Sequence, residues 1–207
     1  MDDSSPKMGG DNATLPEVQR DPGDTAMKAT TIWQPHAGLI AIGAKPFETR
    51  DYPPPAKYIG QRIAIHAAAR RPKMEEIESL HAEAVAWGGN MLRQALDVIE
   101  NAHFDMLPLG AIVCTAILAG AYRCEWRNGP TIFVNDQTRV PGSPSRDRFP
   151  FDPFGDYLSG RWAWLLTDIQ PLPVPILAKG KQGWWDWNRM GWEAVVVEDC
   201  GGKAKER

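Results

Sequence analysis

Lys45, Glu48 and Arg50 stand close together in the stretch GAKPFETRD, residues 43–51. If Phe47 to Arg50 is extended, successive side chains alternate faces. Glu48 and Arg50 then share one face, and Phe47 and Thr49 the other. Lys45 sits at the turn just before. An ammonium, a carboxylate and a guanidinium would meet in one small volume. Such a trio can grip a phosphate, orient the polar edge of a base, or move a proton. The same spacing also describes a solvated strand face carrying one Glu–Arg pair, worth about 0–1 kcal/mol.

The flanking elements must hold these groups. Residues 28–33 (KATTIW) are β-branched and aromatic, as a first strand requires. Pro35 suits the first position of a helix, where its missing N–H costs nothing. The pattern predicts a helix from Pro35 to Ile42, stopped by Gly43, with Leu39, Ile40 and Ile42 facing inward. His36 falls in its first turn as a partly exposed polar residue, with no second metal-ligand type beside it. The prolines 53–55 end the motif strand and form a stiff loop able to wall a cleft. A strand over Arg62–Ala67 would put His66 on the face opposite Ile63 and Ile65, either lining the cleft or satisfied inside the fold.

Further along, residues 72–101 carry helical spacing in two sets, Met74–Ile77–Leu80–Ala84 and Met91–Leu92–Ala95–Leu96–Ile99. Gly88-Gly89 separates them, so two helices or one sharply broken helix is expected. Ala111–Arg123 is apolar and β-leaning, Thr131–Val134 is a short strand candidate, and Gly160–Gln170 is a further strand. Residues 137–153 have the composition of a flexible loop. Lys179-Gly180-Lys181-Gln182-Gly183 is a small basic glycine loop suited to a phosphate, although no P-loop pattern is present. Trp184 and Trp187 are spaced to share one face of a helical turn. They could stack a base, worth about 1–3 kcal/mol, or plug one end of the fold. A final strand at Trp192–Val197 is possible on composition.

Four blocks in order, TIWQPHAGLIAIG (31–43) leading into K-x-x-E-x-R (45–50), IAIHAA (63–68), GRWAWLL (160–166) and PILAKGKQGWWDW (175–187), resemble the ASCH family of the PUA-like superfamily. The resemblance runs from about Lys28 to about Trp187. It implies an α+β fold, a PUA-like β-barrel with flanking helices, and a cleft beside the helix that precedes the G-x-K-x-x-E-x-R element. It also implies an RNA-binding module. Lys45, Glu48 and Arg50 match that element and are the cleft residues carried over. Some members are hydrolases, one group removing acyl groups from modified cytidine and another cleaving RNA. In the acylcytidine hydrolases a Thr stands where this chain has Glu48, which removes the basis for transferring their chemistry.

Whole-chain properties bound what the site can serve. The 207 residues fit one domain with appendages, and 43% hydrophobic with 24% charged residues is ordinary for a soluble globular protein. A net charge of −3 is not that of a protein coating duplex DNA. Any nucleic-acid site is therefore a local groove. Cys114, Cys124 and Cys200 are widely spaced, with no C-x-x-C, which reads as free thiols in a reducing compartment. Cys114 lies in an apolar run and reads as core filler. No stretch has the length of a membrane span and no signal peptide is evident. The expected setting is the cytoplasm, with no membrane, cofactor or metal; oligomeric state is open. Residues 1–27 read as a disordered acidic leader. Residues 28–198 form the domain, with a helical insertion (72–101) and a loop insertion (127–155), and residues 199–207 a charged tail.

Two functions fit these residues. A binding module would contact phosphate through Lys45 and Arg50, with Lys179 and Lys181 adding charge. Glu48 would accept from a base edge, and Trp33 or Trp184 would stack. The ligand would be RNA, a nucleotide or a nucleoside. Alternatively, a metal-independent hydrolase, acting on RNA or a modified nucleoside, would use Glu48 as general base. Lys45 would stabilise developing negative charge.

Overall fold

The computed structural model describes residues 26–87, 92–103, 106–125, 132–134 and 152–188. Residues 1–25 of the acidic leader, the charged tail, the strand candidate at 192–197 and most of the loop insertion lie outside them; Ala26 and Met27, expected in the leader, begin the first strand instead, paired with Asn188 and Trp187.

Strand β1 (Ala26–Ile32) is followed by the short helix α1 (His36–Ala41) and strand β2 (Phe47–Arg50). Gly43 ends the turn after α1 at φ +80°, a conformation that a residue with a Cβ rarely adopts. That turn brings the Lys45 amide back onto the Leu39 carbonyl at 3.1 Å and so aims the chain into β2. The helix is one residue shorter at each end than the pattern predicts, and the Gln34–Pro35 peptide bond is cis.

Strand β3 (Arg62–Ala67) leads to the helical insertion, α2 (Met74–Trp87) and α3 (Leu92–His103). Two helices therefore flank the glycine pair. Helix α2 starts with half of a capping box, the Lys73 amide donating to Glu76 Oε2 at 2.9 Å. Its apolar face, Ile77, Leu80 and Ala84, packs with Ala95, Ile99 and Ala102 of α3 against Leu39 of α1 and Phe154. Contact is close where α1 meets α3: a Cβ on Gly38 would lie 2.9 Å from Val98 Cγ1, so only glycine fits without displacement.

Strands β4 (Ala111–Glu125), β5 (Ile132–Val134), β6 (Trp162–Leu177) and β7 (Trp184–Asn188) complete the chain. The ladder runs β2-β6-β4-β3-β1-β7, with β5 also on β4. Only β1 and β3 are parallel, and the other pairings are antiparallel. The fold is α+β, a mixed sheet with a few helices. Among the described residues the sheet is not closed into the barrel expected from the resemblance, since β2 and β7 are the ends of the ladder. Side chains span that seam instead. Trp164 of β6 stacks on Trp184 of β7, centroids 5.4 Å apart and planes at 17°, and Tyr58 lies 4.8 Å from Trp184. Arg50 at the end of β2 donates through Nη2 to the Thr31 carbonyl of β1 at 2.9 Å.

The expected helical turn at Trp184–Trp187 is a strand. Strand alternation puts Trp185 and Trp187 together on one buried face with Met27 and Ala29, and Trp184 on the other. The proline-punctuated stretch 171–177 also continues β6. Its prolines do not break the ladder because β6 ends there against β4 through irregular register.

Candidate functional site

Beside α1 and β2 lies a cavity of about 870 Å³. Its floor comes from Gln34 and His36 before and in α1, and from Lys45 and Glu48 around the start of β2. Helix α2 supplies one wall through Glu75, Glu76, Ser79 and Glu83, and residues 154–156 with Arg161 supply another. The helical insertion and the end of the loop insertion thus build the sides of a cleft whose base is the local motif.

Lys45 is 2% exposed and Glu48 7% exposed. Lys45 Nζ donates to the Phe47 carbonyl and lies 3.8 Å from Glu48 Oε2, an ion-pair distance beyond hydrogen-bond length. Arg50 Nε lies 2.8 Å from Glu48 Oε1, although its N–H is not aimed along that line. Lys45 and Glu48 are therefore buried and Arg50 half-buried, not the solvated strand face that the spacing equally allowed. Burial makes the Lys45–Glu48 pair costly to break: removing one partner of a buried ion pair typically costs about 3–5 kcal/mol.

His36 also reaches the cavity, and its Nδ1 is buried without a hydrogen-bond partner. Burial, with the nearby Lys45 charge adding to it, pushes its pKa down to about 3, so the imidazole is neutral at ordinary pH. The residue as a whole is partly exposed, as its position predicts, while the Nδ1 atom is buried and orphaned. Trp33 stands at the mouth, 54% exposed, with the Arg70 guanidinium 4.1 Å from its ring centroid. Arg70 is itself held by two bonds to Glu76, 3.0 and 2.7 Å. That pairing lowers the Glu76 pKa.

Asp152 was not legible as a site neighbour. It falls at the end of a polar loop-like segment, yet it is 5% exposed, accepts from Tyr157 Oη at 2.5 Å and from the Phe154 amide at 2.9 Å. Burial raises its pKa, while the Lys45 charge opposes the rise. The one sequence signal was its spacing, Asp two residues before an aromatic in a turn, the local pattern of an Asx-type bond.

The structure brings Lys45, Glu48, Arg50 and Trp33 to one cavity and leaves three other candidates elsewhere. Trp184 is packed between Trp164 and Tyr58. Lys179 and Lys181 are exposed, and the loop that carries them is tied to the cavity's edge by Thr31 Oγ1 donating to the Lys181 carbonyl at 2.9 Å. His66 lies away from the cavity, its Nε2 3.0 Å from the Ala178 carbonyl. Of the proline loop, Asp51 and Tyr52 reach the cavity and the prolines do not. Cys114 and Cys124 are free and buried, burial pushing their pKa values up to about 12 and about 11. Among the described residues, no group of three or more His, Cys, Asp or Glu is placed to hold a metal ion. No described helix is long and apolar enough to cross a membrane.

In fold class the chain is an α+β protein with a mixed sheet. It is similar to a solved structure described as ASCH from Zymomonas mobilis, at 20% identity and a TM-score of 0.36, covering 74% of this chain and 75% of that one. That description names the family whose motifs the sequence resembles; at such a TM-score the likeness carries no function across. No family model and no curated protein matches the chain.

Proposed function

We propose that this protein is an RNA- or nucleotide-binding module that takes a base into the cavity beside α1. The observation that supports it is the buried Lys45–Glu48 pair, with Arg50 beside it, at the base of a cavity whose mouth bears an exposed, cation-backed tryptophan. Trp33 stacks the base, and Glu48 accepts from its edge. Lys45 and Arg50 flank the Glu48 carboxylate and fix its direction. For RNA, the neighbouring strand passes over Lys179 and Lys181.

A hydrolase working through the same residues is favoured by one observation. The cavity holds both a carboxylate, Glu48, and a neutral imidazole, His36, each able to accept a proton.

The test is parallel binding and turnover on a panel of RNA and modified nucleosides with EDTA present. For a binder, Glu48→Gln changes affinity by about tenfold at most, through loss of a charge-assisted hydrogen bond, and no product forms. For a hydrolase, the same change cuts product formation by about 10²–10⁴ while ligand is retained. Because Lys45 is buried, Lys45→Ala is compared only after its melting curve shows a folded protein. If Glu48→Gln, Arg50→Ala and Trp33→Ala all bind and react like the parent, the cavity is not the site.

A further inference from the structure

We infer that this cavity takes its ligand as an uncharged, N–H-bearing heterocycle and excludes phosphate, so that a nucleoside or base is preferred to the corresponding nucleotide. The inference rests on the base-binding function proposed above and narrows the ligand.

The first ground is that the cavity's cations are already engaged. Arg50 is committed to Glu48 and to the Thr31 carbonyl. Arg161 donates from Nη1 to Asp51 and from Nε to the Asp156 carbonyl at 3.1 Å, with Asp156 Oδ2 3.4 Å away. Lys45 donates to the Phe47 carbonyl beside Glu48. A phosphate entering here would meet cations already paired with protein carboxylates or carbonyls, Arg161 through all three of its nitrogens.

Charge balance is the second ground. Six carboxylates line the cavity, those of Glu48, Asp51, Glu75, Glu76, Glu83 and Asp156, against the three cations just named and Arg70, which pairs with Glu76 from beside it. The field at the ligand's position is acidic. A phosphate about 6 Å from one unbalanced carboxylate loses roughly threefold in affinity per unit charge even at the dielectric of water, and more in a walled cavity.

The third ground is independent of the acids. His36 lines the cavity, and its Nδ1, buried beneath the cavity surface, has no partner. A neutral imidazole offers one N–H and one lone pair. The two point apart, so a ligand would meet only one of them, as a donor or as an acceptor. Kept neutral by burial and the Lys45 charge, the ring adds no positive charge to hold an anion. Glu48 Oε2, beyond hydrogen-bond length of Lys45, adds an acceptor for an exocyclic amine or ring N–H.

The experiment is calorimetric titration of the full chain with the four common ribonucleosides and their 5′-mono- and 5′-triphosphates, at low and high salt. At least one nucleoside binds with little salt dependence, and its triphosphate binds about tenfold more weakly. In Glu75→Gln/Glu83→Gln, exposed positions on α2, the triphosphate-to-nucleoside affinity ratio rises at least threefold. A triphosphate binding as tightly as or more tightly than its nucleoside, with affinity falling as salt rises, overturns the inference and leaves base binding standing. An unchanged ratio in the double variant overturns it too. If no nucleoside or nucleotide binds a protein that melts cooperatively, base binding in this cavity and the inference fail together.

Discussion

At the residue scale, the cavity is defined by polar groups held away from water. Lys45 and Glu48 share one buried space, and His36 lies beside it as a neutral ring. The histidine makes stability depend on pH in a fixed direction. Its folded pKa, about 3, lies below the ordinary value of 6.5, so the unfolded chain binds the proton more readily. The stabilising contribution is complete above about pH 6.5 and is lost as pH falls towards 3. His66, whose pKa burial also lowers, acts in the same direction, whereas Asp152, raised, acts in the opposite one. His36→Gln should therefore flatten, without abolishing, the fall in Tm between pH 6.5 and 5. Equal slopes for parent and variant, by thermal melts in matched buffers, would show that the imidazole charges freely in the folded state.

At the element scale, the site exists because separate segments converge on α1. Helix α2 is packed on α1 through Leu80, Leu39 and Phe154, so the same face that fills the core turns Glu75 and Glu83 toward the cavity. The seam between β2 and β7 is the other element-level feature. Tryptophan stacking there does work that backbone pairing does elsewhere in the sheet. Trp184→Ala removes a half-buried ring from the stack with Trp164 and Tyr58. It should cost about 3 kcal/mol, the low end for large aromatic truncations in a core. Urea unfolding reads that loss directly. Base affinity of the folded variant should stay within about twofold of the parent. Lost binding with unchanged stability would instead make Trp184 the stacking platform.

At the scale of the whole molecule, a chain of net charge −3 with an acid-lined cavity has little general attraction for nucleic acid. Any RNA affinity must draw on a few local cations. Lys179 and Lys181 lie on an exposed loop tied to β1, outside the cavity. Replacing both with Ala should weaken binding of a single-stranded RNA oligomer and reduce the slope of log K against log salt by about 1.4, at about 0.7 per phosphate contact. Nucleoside affinity should not change. Filter binding across a salt series measures this, and an unaltered slope would assign both lysines to solvent.

Much of this architecture was legible along the chain. Alternation placed β2 and β3 with the observed boundaries, Gly43 placed the end of α1, and Gly88-Gly89 separated two helices. These are local effects, set by side-chain period and by backbone conformations that few residues tolerate. The K-x-x-E-x-R spacing likewise marked the residues at the base of the cavity. What it could not decide was their burial, because burial depends on α2 and residues 152–161, distant in sequence, closing over them. For the same reason the burial of Asp152, a loop residue, and of the Nδ1 of a partly exposed His36 could not be read from the chain. Trp184–Asn188 was misjudged because aromatic spacing fits a helical turn as well as a strand, and only pairing with β1 selects the strand. The sequence by itself determined the elements and the chemistry available to them. Only the tertiary structure decided which of those groups lost their water, and therefore which ones a ligand would meet.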